Sequence, residues 1–194
     1  MSIRISFKEN FTIDSRKSNL DYFNYDQEFM LPINFTSFDD LIKLDNYNDI
    51  TIICLNTVKL KQLPKLPDRL LCLYCEMCGL TSLPDLPNGL MFLACRHNSL
   101  EELPVLPYHL KILECQGNSL TYLPELPEGL RGLYCYGNKL TCLPSIFPKK
   151  LKTLLCYSNN IKYFPKIPKR ITDANTGNDG DRSEGRKAKK ARLE

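Results

Sequence analysis

The stretch LKILECQGNSLTYLPELP, residues 110–127, sets Leu110, Leu113, Cys115, Asn118, Leu120 and Leu123-Pro124-x-Leu126-Pro127 at fixed spacings. Twenty residues earlier the same positions hold Leu90, Leu93, Cys95, Asn98, Leu100 and Leu103-Pro104. Twenty residues later they hold Leu130, Leu133, Cys135, Asn138, Leu140 and Leu143-Pro144. The pattern extends back to Leu70, Leu73, Cys75, Cys78, Leu80, Leu83-Pro84, and forward to Leu151, Leu154, Cys156, Asn159, Ile161, Phe164-Pro165. A degenerate copy, Ile50, Ile53, Leu55, Val58, Leu60, Leu63-Pro64, stands first, giving six repeats over residues 50–171. Of the 13 prolines only Pro32 lies outside this register, and one extra residue near Phe147 lengthens a single step to 21.

A fixed period of this length means stacked units, because one such unit cannot bury its apolar face alone. Each repeat has room for one short strand around x-x-Leu-x-Cys, whose alternate side chains point to opposite faces. Stacked copies then make a parallel sheet. Two prolines three residues apart lack amide donors and fix φ near about −65°, so the return segment is expected to run extended or as polyproline II, and the convex side to be helix-poor. Asn98, Asn118, Asn138 and Asn159 follow the strands, where a side-chain amide can satisfy backbone groups of neighbouring bends. Val58 and Cys78 stand in the first two copies, so this ladder is expected to weaken toward the N-terminus.

The motif L-x-x-L-x-(C/L)-x-x-N-x-L-x-x-L-P-x-L-P is similar to the leucine-rich repeat. Its 20-residue form with L-P-x-L-P resembles the repeats of IpaH-type and YopM-type secreted bacterial effectors. With Cys in the strand and abundant Asn, Lys, Tyr and Ile, it also resembles the leucine-rich-repeat proteins of giant amoebal viruses. The resemblance implies a solenoid, α/β by class convention, with a parallel sheet on the concave side and a protein partner, from a host cell if the effector or viral likeness holds. IpaH-type proteins carry a separate ligase domain after their repeats. The residues that follow the repeats here are too few for one, so no enzymatic activity is carried over.

Residues 1–49 show no repeat. Ile3, Ile5 and Phe7 alternate like a strand, and Thr36-Ser37 before Phe38 to Ile42 resembles a capped short helix, so this region is expected to cap the solenoid. Residues 172–194 have no aromatic to pack and are expected to form a disordered basic tail. Its cluster Arg186, Lys187, Lys189, Lys190 and Arg192 could serve as a nuclear-localisation signal. The body is nearly balanced in charge, the chain carrying a net +4, so nucleic acid is not expected as a partner. The longest apolar run, residues 90–95, is far short of the roughly 18 to 20 residues of a membrane span. The N-terminus lacks the apolar segment of a signal peptide. An intracellular, cytoplasmic monomer is expected, with the tail offering a route to the nucleus.

Nine cysteines, an odd number without an export signal, fit reduced thiols better than a disulfide framework. The column Cys75, Cys95, Cys115, Cys135 and Cys156 and the run Cys72-x-x-Cys75-x-x-Cys78 invite a metal reading. Rungs about 4.8 Å apart put alternate sulfurs about 9.6 Å apart, whereas ligands on one zinc lie within about 4 Å of each other. Cys72 and Cys75 also point to opposite faces. The column is therefore read as small buried apolar residues, with no metal and no cofactor expected, and Cys142 as the most exposed thiol. His97 and His109 have no partner for catalysis, and no phosphate loop is present, so the chain is read as a non-enzyme.

The concave positions carry the functional expectation. Outward strand columns contain Phe92, Ile112, Tyr74, Tyr134 and Leu155, and the column beyond the strand contains Glu76, Arg96, Gln116, Tyr136 and Tyr157. Such a face is expected to be exposed, aromatic and partner-binding, through Tyr74, Phe92, Arg96, Ile112, Tyr134, Tyr136, Leu155 and Tyr157. The alternatives are that these rings pack on one another only to support the sheet, that the protein shuttles to the nucleus through its tail, or that it is a structural component without a specific ligand.

Overall fold

The computed structural model describes residues 2–6, 31–33, 41–56, 59–60 and 62–176. Among these residues the strands form one nine-stranded sheet in the order β2 (Leu31–Ile33), β1 (Ser2–Ser6), then seven further strands, β3 to β9, in chain order. The parallel rungs are β3 (Ile52–Asn56), β4 (Cys72–Glu76), β5 (Phe92–Ala94), β6 (Ile112–Glu114), β7 (Gly132–Tyr134), β8 (Thr153–Leu155) and β9 (Asp173–Asn175). Their register is that of the repeat, with Leu73, Leu93, Leu113, Leu133 and Leu154 opposite one another. The final rung corrects the boundary at 171. Residues 173–175, expected in the disordered tail, are a strand paired to β8, with Ala174 in the leucine position.

Each rung from β4 to β9 is fed by the same turn. The carbonyls of Pro67, Pro87, Pro107, Pro127, Pro148 and Pro168 accept a hydrogen bond from the amide three residues on, at 2.9–3.1 Å. Proline has no N–H to lose there, and its carbonyl closes the bend that returns the chain to the sheet. The segments between rungs form no helix among the described residues. The extra residue of the long step leaves the strand register intact. Phe147 fills the core position that Leu66 and Leu106 occupy in their repeats, and Ile146 is pushed out to 80% exposure.

One continuous core holds the leucine columns and Cys75, Cys95, Cys115, Cys135 and Cys156. Burial raises these thiols, Cys95 and Cys156 to about 12 and the other three well above their ordinary value, so they stay protonated and inert as nucleophiles. Cys72 packs on the concave side, away from Cys75 and Cys78. Eight cysteines are buried and Cys142 is exposed. Ellman's reagent is therefore expected to titrate one thiol per native chain within minutes and nine after guanidinium unfolding. Two or more fast thiols would mean that the core opens readily.

At the N-terminal edge β1 (Ser2–Ser6) runs antiparallel to β3, and β2 (Leu31–Ile33) antiparallel to β1. Pairing to β1 covers backbone groups that the first rung would otherwise expose. Pro32, the proline outside the repeat register, lies in β2 at the edge of this sheet, where a missing ladder donor is tolerated. Of the expected capped helix, Leu41 and Ile42 are helical, while Thr36 to Asp40 lie outside the described residues. The possible nuclear signal, Arg186, Lys187, Lys189, Lys190 and Arg192, also lies outside them.

Candidate functional site: the concave face

Behind the concave strands an amide ladder fixes the spacing of the rungs. Asn118 Nδ2 donates to the carbonyls of Cys95 and Cys115, each at 3.0 Å, and its Oδ1 accepts the Leu100 amide at 3.1 Å. Asn98, Asn138 and Asn159 repeat the arrangement, each bridging its own rung to the one before. Cys78 occupies the same position with weaker bonds. Its thiol donates to the Leu55 carbonyl at 3.7 Å and the Glu76 carbonyl at 3.2 Å, and the Leu60 amide turns to the Cys78 carbonyl, at 2.8 Å, in place of a side-chain oxygen.

Side chains on the concave side form a second apolar layer of Cys54, Cys72, Tyr74, Phe92, Ala94, Ile112 and Tyr134. This corrects the expectation of an exposed aromatic surface, because Tyr74, Phe92, Ile112 and Tyr134 keep only 1–7% of their area accessible. Rungs about 4.8 Å apart let a ring on one strand lie over the next. The Tyr74 and Phe92 ring centres are 4.7 Å apart. Gly132 makes room for the same closure, since a Cβ there would stand 3.0 Å from Ile112 Cδ1 and 3.1 Å from Tyr134 Cε2. Four of the eight expected contact residues are thus the floor of the face.

The accessible ones are Arg96, Tyr136, Leu155 and Tyr157, each partly exposed. Tyr136 and Tyr157 stack in parallel with centres 4.5 Å apart and 8° between planes. Beside them lies a charged node that the sequence columns contained but did not single out. Arg96 Nε stands 2.6 Å from Glu76 Oε2, and Arg96 NH1 3.6 Å from Glu114 Oε2. Glu114 is 4% exposed, although it ends a strand on the concave side. Burial pushes its carboxyl up to about 7; the Arg96 guanidinium pulls against this and Glu76 adds to it. The one sequence signal was an acid in a column otherwise filled by Cys54, Tyr74, Ala94, Tyr134 and Leu155.

Elsewhere the described residues offer less chemistry. Among them no group of three or more His, Cys, Asp or Glu side chains converges as a metal site. His97 is exposed with φ +54°, and His109 is exposed beside Tyr108. Among the described residues no helix is long and apolar enough to cross a membrane.

No family model matches the chain, and no curated protein matches it. Solved structures do. YopM from Yersinia enterocolitica is similar over 62% of this chain and 27% of its own, at 34% identity and a TM-score of 0.60. The leucine-rich-repeat domain of a Shigella effector is similar over 60% of this chain and 53% of its own, at 36% identity and a TM-score of 0.58. The chain therefore spans between about a quarter and about half of the structures it matches. With parallel rungs in the register of the repeat and a helix-poor convex side, the fold is a leucine-rich-repeat solenoid.

Proposed function

We propose that the protein is a non-catalytic interaction scaffold whose concave sheet docks another protein, a host-cell protein if the chain acts as the effectors it resembles do. The observation that carries this is the partly exposed tyrosine pair, Tyr136 over Tyr157, standing with Arg96 and Leu155 on a floor of Tyr74, Phe92, Ile112 and Tyr134. Tyrosine supplies large contact area with little loss of rotamer freedom, and Arg96 is already held in place by Glu76. The floor holds them rigidly, so little ordering entropy opposes association. Fixed rungs present this face as one curved, preorganised surface, the kind that solenoids use for partners.

The test is affinity capture from candidate host cells with the full chain and with a Tyr136→Ala/Tyr157→Ala variant, after circular dichroism has shown that both fold. A partner held by the wild type should be lost, with at least a tenfold fall in recovery, while Tyr108→Ala/Tyr163→Ala, at two exposed tyrosines outside the concave columns, should keep it. Equal recovery by all three proteins would place binding away from the concave face.

A further inference from the structure

The centre of the concave face is short of donors. Arg96 is the one cation in its three columns over the parallel rungs β3 to β9, and it faces two carboxylates, Glu76 and Glu114. The close contact, 2.6 Å, goes to Glu76, whereas Glu114 is met at 3.6 Å, too long for a hydrogen bond. Glu114 is thus a buried acid with incomplete compensation. Two residues along the same side, Gln116 is 3% exposed and its Oε1 is buried with no hydrogen-bond partner. Buried acceptors are rarely left so in a folded protein.

One acceptor, Gln116 Oε1, therefore lacks a donor and Glu114 is met only by a long ion pair, and aromatic faces stand beside them. Tyr134 is the register partner of Glu114 on the next rung, and the Tyr136–Tyr157 stack follows Gln116 in its column. Ring faces attract cations, most strongly where water is excluded. We infer that this centre takes a lysine or arginine side chain of the protein partner, its cationic head donating to Glu114 and Gln116 between the tyrosines. The inference rests on the docking reading above and names the chemistry it recognises. Charge complementarity selects the occupant: the node of Glu76, Arg96 and Glu114 carries one more carboxylate than cation, and an arginine fork offers enough donors to meet both acceptors at once.

The test is amide NMR of the full chain titrated with end-blocked pentapeptides Gly-Gly-X-Gly-Gly, where X is Arg, Lys, citrulline or Glu. Arginine and lysine peptides should give saturable shifts at residues 114–116 and 134–136. Citrulline, which keeps the shape without the charge, should bind at least tenfold more weakly, and glutamate should give no shift there. Glu114→Gln, nearly isosteric, should weaken the arginine peptide at least tenfold in an otherwise unchanged spectrum. Equal binding of arginine and citrulline, undiminished binding by Glu114→Gln, or no saturable shift with any peptide would overturn the inference. So would shifts seen only after Arg186, Lys187, Lys189, Lys190 and Arg192 are all changed to Gln, which would make the chain's own C-terminal segment the occupant. Capture lost by Tyr136→Ala/Tyr157→Ala but kept in full by Glu114→Gln would remove the cation site alone and leave the docking face standing.

Discussion

Replacing Asn118 by Ala is expected to remove about 2–4 kcal/mol of folding stability, although the side chain touches no other side chain's charge and lies in no cleft. Its amide makes three bonds of 3.0–3.1 Å, to the Cys95 and Cys115 carbonyls and from the Leu100 amide, all buried. An unsatisfied buried backbone group costs about 1–3 kcal/mol, and alanine orphans the Leu100 amide while taking one of two donors from each of the Cys95 and Cys115 carbonyls, which keep Asn98 and Asn138. Two of these groups, the Cys95 carbonyl and the Leu100 amide, belong to the preceding repeat, so the substitution loosens an interface between repeats and not one repeat alone. Asn118→Asp should be at least as damaging, because it keeps the acceptor for Leu100 but sets a buried carboxylate oxygen against the Cys95 and Cys115 carbonyls. Urea unfolding followed by circular dichroism measures both. A loss under about 1 kcal/mol would show that water replaces the amide and that the ladder does not hold the stack.

A second large effect is expected at Glu114, with a sign that depends on pH. Its carboxyl ionises near 4.5 in an unfolded chain and at about 7 in the folded protein, chiefly because burial disfavours the charge. Below pH 4.5 both states are protonated and the residue contributes nothing to the pH dependence. Between 4.5 and 7 the unfolded chain releases a proton that the folded chain still holds, so stability falls as pH rises. Above 7 both are ionised and the full penalty, about 3 kcal/mol, is in place. Glu114→Gln removes the titration. The variant should therefore be more stable than wild type by about 2–3 kcal/mol at pH 8.5, and the advantage should shrink toward zero as pH approaches 4. Parallel stability profiles for the two proteins from pH 4 to 8.5 would mean that Arg96 already compensates the charge. Tested on the partner, the same variant should lose the cationic side chain it is inferred to hold, so stability and recognition would move in opposite directions at one residue.

Legibility in the sequence varied with how local the cause was. The rungs were legible because side-chain alternation and the 20-residue period are properties of the chain itself, and Leu73, Leu93, Leu113, Leu133 and Leu154 fall into register without further information. The last rung was missed because its leucine and cysteine positions hold Ala174 and Thr176. A signal remained in Pro168, whose turn leads to Ile171 at the spacing every other repeat uses. The direction of Phe92 and Ile112 toward the concave side was likewise legible, but their burial was not. Which neighbour covers a ring depends on the separation of rungs and on residues 20 and 40 positions away, such as Gly132, whose missing side chain admits Tyr134 and Ile112.

By itself the sequence determined the stack of repeats, the extended return segments and the identity of the residues on each face, since these follow from periodicity, proline geometry and strand alternation. The tertiary structure decided which concave residues remain accessible, how Arg96 divides between Glu76 and Glu114, and that Gln116 is left with a buried acceptor. Burial and charge compensation are set by distances between separate repeats, to within an ångström, and a one-dimensional pattern fixes the order of those repeats but not the gaps between their side chains.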